Sequence, residues 1–279
     1  MTDYAKATWV PSPNYSANRD GHNPTWTADD PNTWIVLHTM VGAESAARAR
    51  FMNPAQQASS HYGVCLDGRV IQYVAEKDAA WTNGTYDVNP GSNLDSITIE
   101  HEDDGDFDGP RTIALYEASA ELVADVSRRR KIPLAHRADG GGVLGHRECQ
   151  GASTACPDAL DVDWIINRAG AKLSGRTWTD TELLHLAAIY SWDEIKAALG
   201  VVLYARTYAL AHPPAVPEAV TLPAPVPATP PPPPMTTVEP ALPPPTVTPT
   251  PEPSPPAPPE DVWPWLRSLV AWLRKALGS

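Results

Sequence analysis

Cysteine is scarce in this 279-residue sequence, positive charge is in the minority, and long apolar runs are absent. Three cysteines, at positions 65, 149 and 156, are too few for a disulfide framework, and their odd number leaves at least one for another role. No run of 18 apolar residues occurs, which predicts no membrane-spanning helix. The 21 Lys and Arg residues face 33 Asp and Glu, and the resulting net charge of −12 argues against nucleic acid as a partner. The basic run 128–131 does not change this, because it is expected at the solvated C-terminal end of a helix.

Proline, in contrast, is abundant and unevenly distributed: 22 of the 32 prolines lie between Pro213 and Pro259. Proline has a fixed φ and donates no backbone hydrogen bond, so residues 212–259 are predicted to form an extended polyproline II linker. Residues 260–279 predict an amphipathic helix, because apolar residues fall on one helical stripe beside cationic ones. The stripe consists of Leu266, Leu269, Val270, Leu273 and Leu277. Such a helix suits either membrane or envelope contact or self-association.

Residues 1–175 alternate between strand patterns and helix patterns. Buried strands are predicted at "WIVLHTM" (34–40), "SITIEHE" (96–102) and "VLGH" (143–146), with a hairpin around Asp67-Gly68. Helical spacing of apolar residues covers 112–131 and 161–172. Because hairpin and crossover connections are mixed, the pattern indicates an α/β domain, in which a mixed central β-sheet has helices packed on it.

Residues 176–211 predict a small helical extension after this domain. Thr179 and Ser191 precede its two helical segments and are suitable N-caps. A segment of this size makes a weak core by itself. We therefore expect it to dock on the first domain or to self-associate.

Three side chains are candidate metal ligands: His38 and His146 at the ends of predicted strands, and Cys156 directly before Pro157. Imidazole and thiolate suit Zn(II), and three protein ligands leave a fourth position for water, as in catalytic zinc sites. The spacing alone is weak evidence, since a single buried histidine or cysteine is commonly part of a core.

The surrounding motifs are more specific. "IVLHTMVG" (35–42) is followed by "SSHYGVCLDGRVIQYVAEKDAAW" (59–81), "NLDSITIEHE" (93–102), "LGHREC" (144–149) and "ACPDALDVDWI" (155–165). This ordered set, over residues 9–171, resembles the zinc-dependent type 2 N-acetylmuramoyl-L-alanine amidase family. That family includes amidase-type phage lysins and animal peptidoglycan recognition proteins. The resemblance implies zinc as cofactor and bacterial peptidoglycan as substrate.

By this resemblance the zinc ligands map to His38, His146 and Cys156, because the family has its third ligand immediately before a proline. Asp158 is a competing oxygen ligand and Cys149 a competing thiol. A further alternative is a disulfide between Cys149 and Cys156, which would leave the site one ligand short.

The resemblance also implies a catalytic carboxylate at Glu100, which would take a proton from water and pass it to the leaving amine. Glu102 is the second candidate, because it lies on the same face of the strand by alternation. The alternative is that both glutamates are solvent-facing strand residues.

Two positions depart from the family pattern. Many members have a lysine where this chain has Thr154, for which only a substrate hydrogen bond is expected. Others have a tyrosine where this chain has His61, so we expect His61 to contact the reaction intermediate. Trp81 and Asn83, with Asn93 nearby, are the remaining candidates for substrate contact.

These features together lead to one functional hypothesis, a phage endolysin that hydrolyses the amide between N-acetylmuramic acid and L-alanine. Residues 1–12 contain no recognisable secretory signal, so we expect synthesis in the host cytoplasm and action on the cell wall after holin-mediated release. Arg-rich, Pro-rich composition and motif wording favour phages of actinobacteria. The alternatives are a non-catalytic peptidoglycan-binding protein and a bacterial autolysin or recycling amidase.

Overall fold

The computed structural model describes residues 2–17, 34–86 and 88–213, which belong to one compact unit, Met1–Pro217. The predicted helix at 260–279 and nearly all of the predicted linker 212–259 lie outside the described residues. Within these three ranges, every helix is too short or too polar to span a bilayer.

The strands of the described residues form a central sheet and a small second sheet. The eight described strands are β1 (Thr8–Trp9), β2 (Tyr15–Ser16), β3 (Trp34–Thr39), β4 (Tyr62–Val64), β5 (Val70–Gln72), β6 (Ala79–Ala80), β7 (Ser96–His101) and β8 (Gly142–Gly145). Six of them form a sheet in the order β1-β5-β4-β7-β3-β8. β4 and β5 pair antiparallel across the predicted turn, where Gly68 has φ +84°, and the other neighbours in this sheet pair in parallel. The expected mixed central sheet is therefore present.

The described residues form five α-helices: α1 (Glu44–Met52), α2 (Ile113–Arg130), α3 (Val162–Leu173), α4 (Asp180–Ile189) and α5 (Trp192–Ala211). The Thr179 and Ser191 side chains cap α4 and α5 as predicted, each in a capping box with a glutamate three residues later. α5 is broken at Gly200, whose φ of +74° is outside the helical region.

Successive side chains of β3 point to opposite faces of the sheet, and each face is covered by a buried apolar cluster. Ile35 and Leu37 join the larger core with α2 and α3. Trp34 and Val36 lie on the opposite face with Leu144 and Cys149. His38 follows Val36 by two residues, so it continues this second face at the carboxyl end of the strand.

The helical extension docks on the first domain, one of the two expected arrangements. Leu183 and Leu186 of α4 pack with Ile195 of α5, Trp178 and Ile113 at the start of α2. The Tyr190 hydroxyl also donates to the Arg111 carbonyl at 2.7 Å. The segments on either side of the predicted boundary at residues 175 and 176 are thus in direct contact.

Candidate metal centre

Three side chains distant in sequence converge at the carboxyl end of β3. His38 lies near the end of this strand, and His146 begins the short turn after its parallel neighbour β8. Cys156 follows in the next loop. The three ligand atoms all lie within 4.8 Å of one another. The two imidazole centroids are 4.4 Å apart, and Cys156 Sγ is 3.8 Å from His38 Nδ1. Two nitrogens and one sulfur at this spacing match the ligands that Zn(II) prefers.

Asn83 contacts both histidines. His38 is only 2% exposed, and its Nε2 lies 2.8 Å from Asn83 Oδ1. His146 Nε2 lies 3.2 Å from the backbone oxygen of Asn83. The Asn83 side chain is itself 2% exposed and also donates to the Gly91 and Ser92 carbonyls. This placement argues against the expectation that Asn83 contacts substrate, because its amide group is fully engaged within the protein.

Cys156 is held towards His38 by β3 and by its own loop. The Thr39 backbone N–H donates to Cys156 Sγ at 3.3 Å, and the Thr39 hydroxyl donates to Asp158 Oδ2 at 2.7 Å. Thr154 Oγ1 accepts from the Cys156 N–H at 3.1 Å. The expected substrate contact of Thr154 thus competes with a bond that supports the Cys156 loop.

The two competing ligands occupy other positions. Cys149 is buried in the apolar layer with Trp34, Val36 and Leu144, outside the candidate ligand cluster. The Asp158 carboxylate accepts a hydrogen bond from the Thr39 hydroxyl. All three cysteines are free, so Cys149 and Cys156 form no disulfide in this structure.

Burial sets the ionisation of the three candidate ligands. It lowers the pKa of His38 well below the usual range, with His146 as a second cause, and it also lowers the pKa of His146. Burial and the nearby Glu100 carboxyl raise the pKa of the Cys156 thiol to about 12. The imidazoles are therefore neutral and able to bind a metal, whereas binding to Cys156 must displace its proton.

Glu100 lies beside His38 in the neighbouring strand. The two residues are register partners in the parallel pair of β3 and β7, so their side chains point to the same face. Glu100 is 9% exposed, and its Oε2 atom has no hydrogen-bond partner among the described residues. Burial raises the pKa of Glu100 to about 8, despite the opposing charge of Arg50. A buried carboxyl with an unpaired oxygen is suited to proton transfer.

Glu102 has a different environment. Its two carboxylate oxygens accept the backbone N–H groups of Glu44 and Leu66, at 2.9 and 2.8 Å. These bonds tie the end of β7 to the start of α1 and to the β4–β5 turn. Of the two candidate carboxylates, only Glu100 has an unpaired, buried oxygen.

His61 is fully buried, and both of its ring nitrogens are engaged. The Thr98 N–H donates to Nδ1 at 3.0 Å, and Nε2 lies 3.0 Å from the Asp78 carbonyl, which can only accept. The ring is therefore neutral, with its proton on Nε2. This placement argues against the expected contact with a reaction intermediate, since His61 links β4 to β7 inside the sheet.

Trp81 is half-buried at the end of the β6 segment. Its indole N–H donates to Ser16 Oγ at 2.9 Å, and its backbone pairs with Ser59. The residue as a whole remains partly exposed. Asn93, the nearby alternative, accepts the Thr82 and Asn83 N–H groups and so supports the loop that carries Asn83.

The sequence analysis did not identify two residues that contact the candidate ligands. Thr39 supports Cys156, and His101 donates from Nδ1 to the His38 carbonyl while its Nε2 bonds with Ser119. Both are polar residues in otherwise apolar strands, which was the available signal. What each one touches depends on the fold.

The chain is similar in sequence to proteins of known activity. Residues 28–159 match the sequence profile of a family described as N-acetylmuramoyl-L-alanine amidase. The chain is 31% identical over 143 residues to N-acetylmuramoyl-L-alanine amidase A of Achromobacter lyticus, covering 50% of this chain and 72% of that protein. The profile match contains His38, Glu100, His146 and Cys156.

Solved structures with a similar fold include a selenomethionine derivative of AmpD and a mutant endolysin from Bacillus subtilis. The AmpD structure is 21% identical with a TM-score of 0.43, and the match covers 60% of this chain and 98% of that one. The endolysin is also 21% identical with a TM-score of 0.42, and the match covers 59% of this chain and 99% of that one.

Proposed function

This chain belongs to the N-acetylmuramoyl-L-alanine amidase family, and from that premise we propose that it is a zinc-dependent phage endolysin. Its enzyme activity is that of the family, hydrolysis of the amide between N-acetylmuramic acid and L-alanine in peptidoglycan. The observation that carries the zinc mechanism is the convergence of His38, His146 and Cys156 beside the unpaired carboxyl of Glu100.

The residues present fit Zn(II), because the two imidazoles are neutral and the third ligand is a thiol. In this proposal His38, His146 and Cys156 hold the ion. Zinc in such a site lowers the pKa of water and polarises a carbonyl, which are the two requirements of amide hydrolysis.

Glu100 is the proton acceptor and donor in the proposed mechanism. Its unpaired oxygen can accept a proton from the attacking water and return it to the leaving amine of L-alanine. Its raised pKa, about 8, suits a group that must both take and give a proton near neutral pH. The buried environment also limits exchange of that proton with bulk water.

For substrate contact we propose Trp81, a partly exposed residue whose ring offers a flat apolar surface to a sugar or lactyl group. Thr154 lies exposed beside Cys156 and can form one polar contact with the peptide. Neither residue is required to take part in proton transfer.

The endolysin role is supported by the modular organisation of the sequence. A proline-rich segment separates the amidase domain from a cationic segment with Trp263, Trp265 and Trp272. An enzyme that acts on soluble wall fragments has no evident use for such a spacer. A bacterial cell-wall amidase is the second candidate, and the similarity to the Achromobacter lyticus protein favours it.

Zinc content and amidase activity test the mechanism together. Wild type is expected to contain zinc and to release stem peptides from purified cell wall, measured as new amino termini. Cys156→Ala should lose both, whereas Cys149→Ala should keep zinc, because Cys149 lies in the apolar layer. Equal zinc loss in both variants would contradict the ligand assignment, and wall binding without new amino termini would contradict the enzyme mechanism.

A further inference from the structure

The loop from Thr82 to Asn93 bridges the two segments that carry the candidate histidines. Asn83 bonds with the side chains of both His38 and His146. Further along the loop, the Pro90 carbonyl accepts the Gln150 N–H at 2.9 Å. Gly91 packs so closely on Cys149 that an added Cβ would lie 2.4 Å from its sulfur. The loop therefore contacts β3 at one side and the His146 segment at the other.

The orientation of the Asn83 amide is determined by its other bonds. Its nitrogen donates to the Gly91 carbonyl at 2.7 Å and to the Ser92 carbonyl at 3.3 Å. Carbonyl oxygens only accept, so the amide nitrogen must face them and Oδ1 must face His38. An amide oxygen cannot donate, and His38 Nε2 must therefore carry the proton of the neutral ring.

The same reasoning applies to His146. Its Nε2 faces the backbone oxygen of Asn83 at 3.2 Å, and a carbonyl oxygen can only accept. The proton of His146 is thus also on Nε2. In both rings the unprotonated nitrogen is Nδ1, and in His38 this atom is the one that faces Cys156 Sγ at 3.8 Å.

We propose that Asn83 is the positioning residue of the metal centre, which holds both imidazoles with Nδ1 free to bind the ion. This inference rests on the proposed zinc-dependent function, but it concerns the assembly of the site and not the hydrolysis. The side chain of Asn83 positions His38, and its backbone positions His146. Outer partners of metal-bound histidines commonly have this role.

The supporting bonds hold Asn83 in place before any ion binds. Asn93 Oδ1 accepts the Asn83 N–H at 2.7 Å and the Thr82 N–H at 3.1 Å. Asn83 itself is buried, so water does not compete for its Oδ1 atom. The site is therefore preorganised, and a variant lacking Oδ1 must lose affinity for metal and not only activity.

The first measurement is the histidine tautomer in the zinc-free full-length protein, read from nitrogen-15 shifts after selective histidine labelling. Both His38 and His146 are expected to carry the proton on Nε2. In Asn83→Ala, His38 should lose this preference while His146 keeps it, because the backbone oxygen remains. A proton on Nδ1 of His38 in wild type would overturn the proposal without any variant.

The second measurement is zinc affinity by competition with a chelator. Asn83→Ala is expected to bind zinc about 10- to 100-fold more weakly than wild type. Asn83→Asp retains an oxygen acceptor for His38 Nε2 but loses the donor to the Gly91 carbonyl, so its affinity should lie between those of Asn83→Ala and wild type. If Asn83→Ala does not fold, the wild-type tautomers and the Asn83→Asp affinity still decide the question.

Asn14→Ala is the matched control. Asn14 is an equally buried asparagine that donates to the Phe51, Asn53 and Ala58 carbonyls, and it bonds with neither histidine. Its loss should lower stability but leave zinc affinity unchanged. Equal zinc loss in Asn14→Ala and Asn83→Ala, or no rescue by a folded Asn83→Asp, would overturn the positioning role. A wild type with the expected tautomers and zinc affinity but no amidase activity would overturn the proposed function alone.

Discussion

The environment of Glu100 is unfavourable for stability but suited to proton transfer. Its carboxyl is buried, one oxygen is unpaired, and burial raises its pKa to about 8. Ionising such a group in the folded protein is unfavourable relative to the unfolded chain, where the pKa is 4.5. The contribution of Glu100 to the free energy of unfolding is therefore most favourable below about pH 4.5, where the carboxyl is protonated in both states. It is lost as pH rises towards 8, because the unfolded chain ionises while the folded protein stays protonated.

Glu100→Gln is therefore expected to separate activity from stability. We expect kcat to fall about 10²- to 10⁴-fold, because glutamine cannot exchange a proton. Zinc content should be unchanged, and the zinc-free variant should have a higher Tm than zinc-free wild type above pH 8. The measurements are stem-peptide release, metal analysis and thermal unfolding across pH. Glu102→Gln is the control and should instead lower Tm, since Glu102 accepts two backbone N–H groups. Retained kcat in Glu100→Gln would assign proton transfer to another group.

At this scale the sequence predicted the candidate ligands better than their surroundings. His38, His146 and Cys156 were found because each has a recognisable motif around it, and they do converge. The buried hydrogen bonds of Asn83 and His61 were not foreseen, because partners 45 and 37 residues away cannot be deduced from local sequence. Polar residue type predicted that these positions matter, but not what they touch.

At the scale of elements, Glu76 ties the segment after β5 to the end of α2. It accepts from both Arg129 and Arg130 at 2.7 Å, and the Tyr62 hydroxyl donates to it at 2.7 Å. Its carboxylate is fully buried. Burial alone would raise the pKa of Glu76, but the two arginines outweigh it and lower the value to about 2. The basic run at the end of this helix is therefore partly structural, and not only a solvated end.

This ion pair predicts a pH dependence of stability. A carboxyl whose pKa is lowered on folding stabilises the protein above its unfolded pKa, here 4.5, and the effect disappears as pH falls through about 2. Glu76→Gln should thus lower the free energy of unfolding by about 3 kcal/mol at pH 7, and by little near pH 2. Urea unfolding at several pH values measures the difference. Asp67→Asn, in an exposed pair with Arg69, should change stability by less than about 0.5 kcal/mol at either pH. A constant difference across this range would show that Glu76 acts by packing and not by charge.

The docked helices offer a neighbouring pair of leucines for a second test. Leu183 is fully buried in the cluster with Trp178 and Ile113, whereas Leu184 is 43% exposed. Leu183→Ala should lower the free energy of unfolding by about 2–5 kcal/mol. Leu184→Ala should change it by less than about 0.5 kcal/mol. Urea unfolding followed by circular dichroism measures both effects, and equal effects of the two variants would contradict the docking.

Elements with strong patterns were predictable and the shortest were not. The six-residue strands β3 and β7 and the capped helices α4 and α5 follow from apolar spacing and from Thr179 and Ser191. β1, β2 and β6 contain two residues each, too few to show a period. These strands exist because the folded chain brings partners beside them, which is information that no local pattern contains.

At the scale of the whole molecule, deleting residues 260–279 distinguishes the two hypotheses for this segment, envelope contact and self-association. If it contacts the envelope, deleting it should weaken binding to cell wall or lipid vesicles and leave the solution mass unchanged. If its apolar stripe is a self-association surface, deletion should lower the solution mass. Light scattering and sedimentation with purified wall measure the two effects. A deletion that changes neither would leave the segment without either role.

His38 and Cys156 touch each other across 118 residues of sequence. A ribosome adds about 5–20 residues each second, so roughly 6–24 s separate the synthesis of the first ligand from that of the last. For most of that interval the growing chain contains only the first of the three candidate ligands, because His146 precedes Cys156 by only ten residues. The three candidate ligands can therefore come together only after the chain has been synthesised through Cys156, by which point all six strands of the central sheet are present.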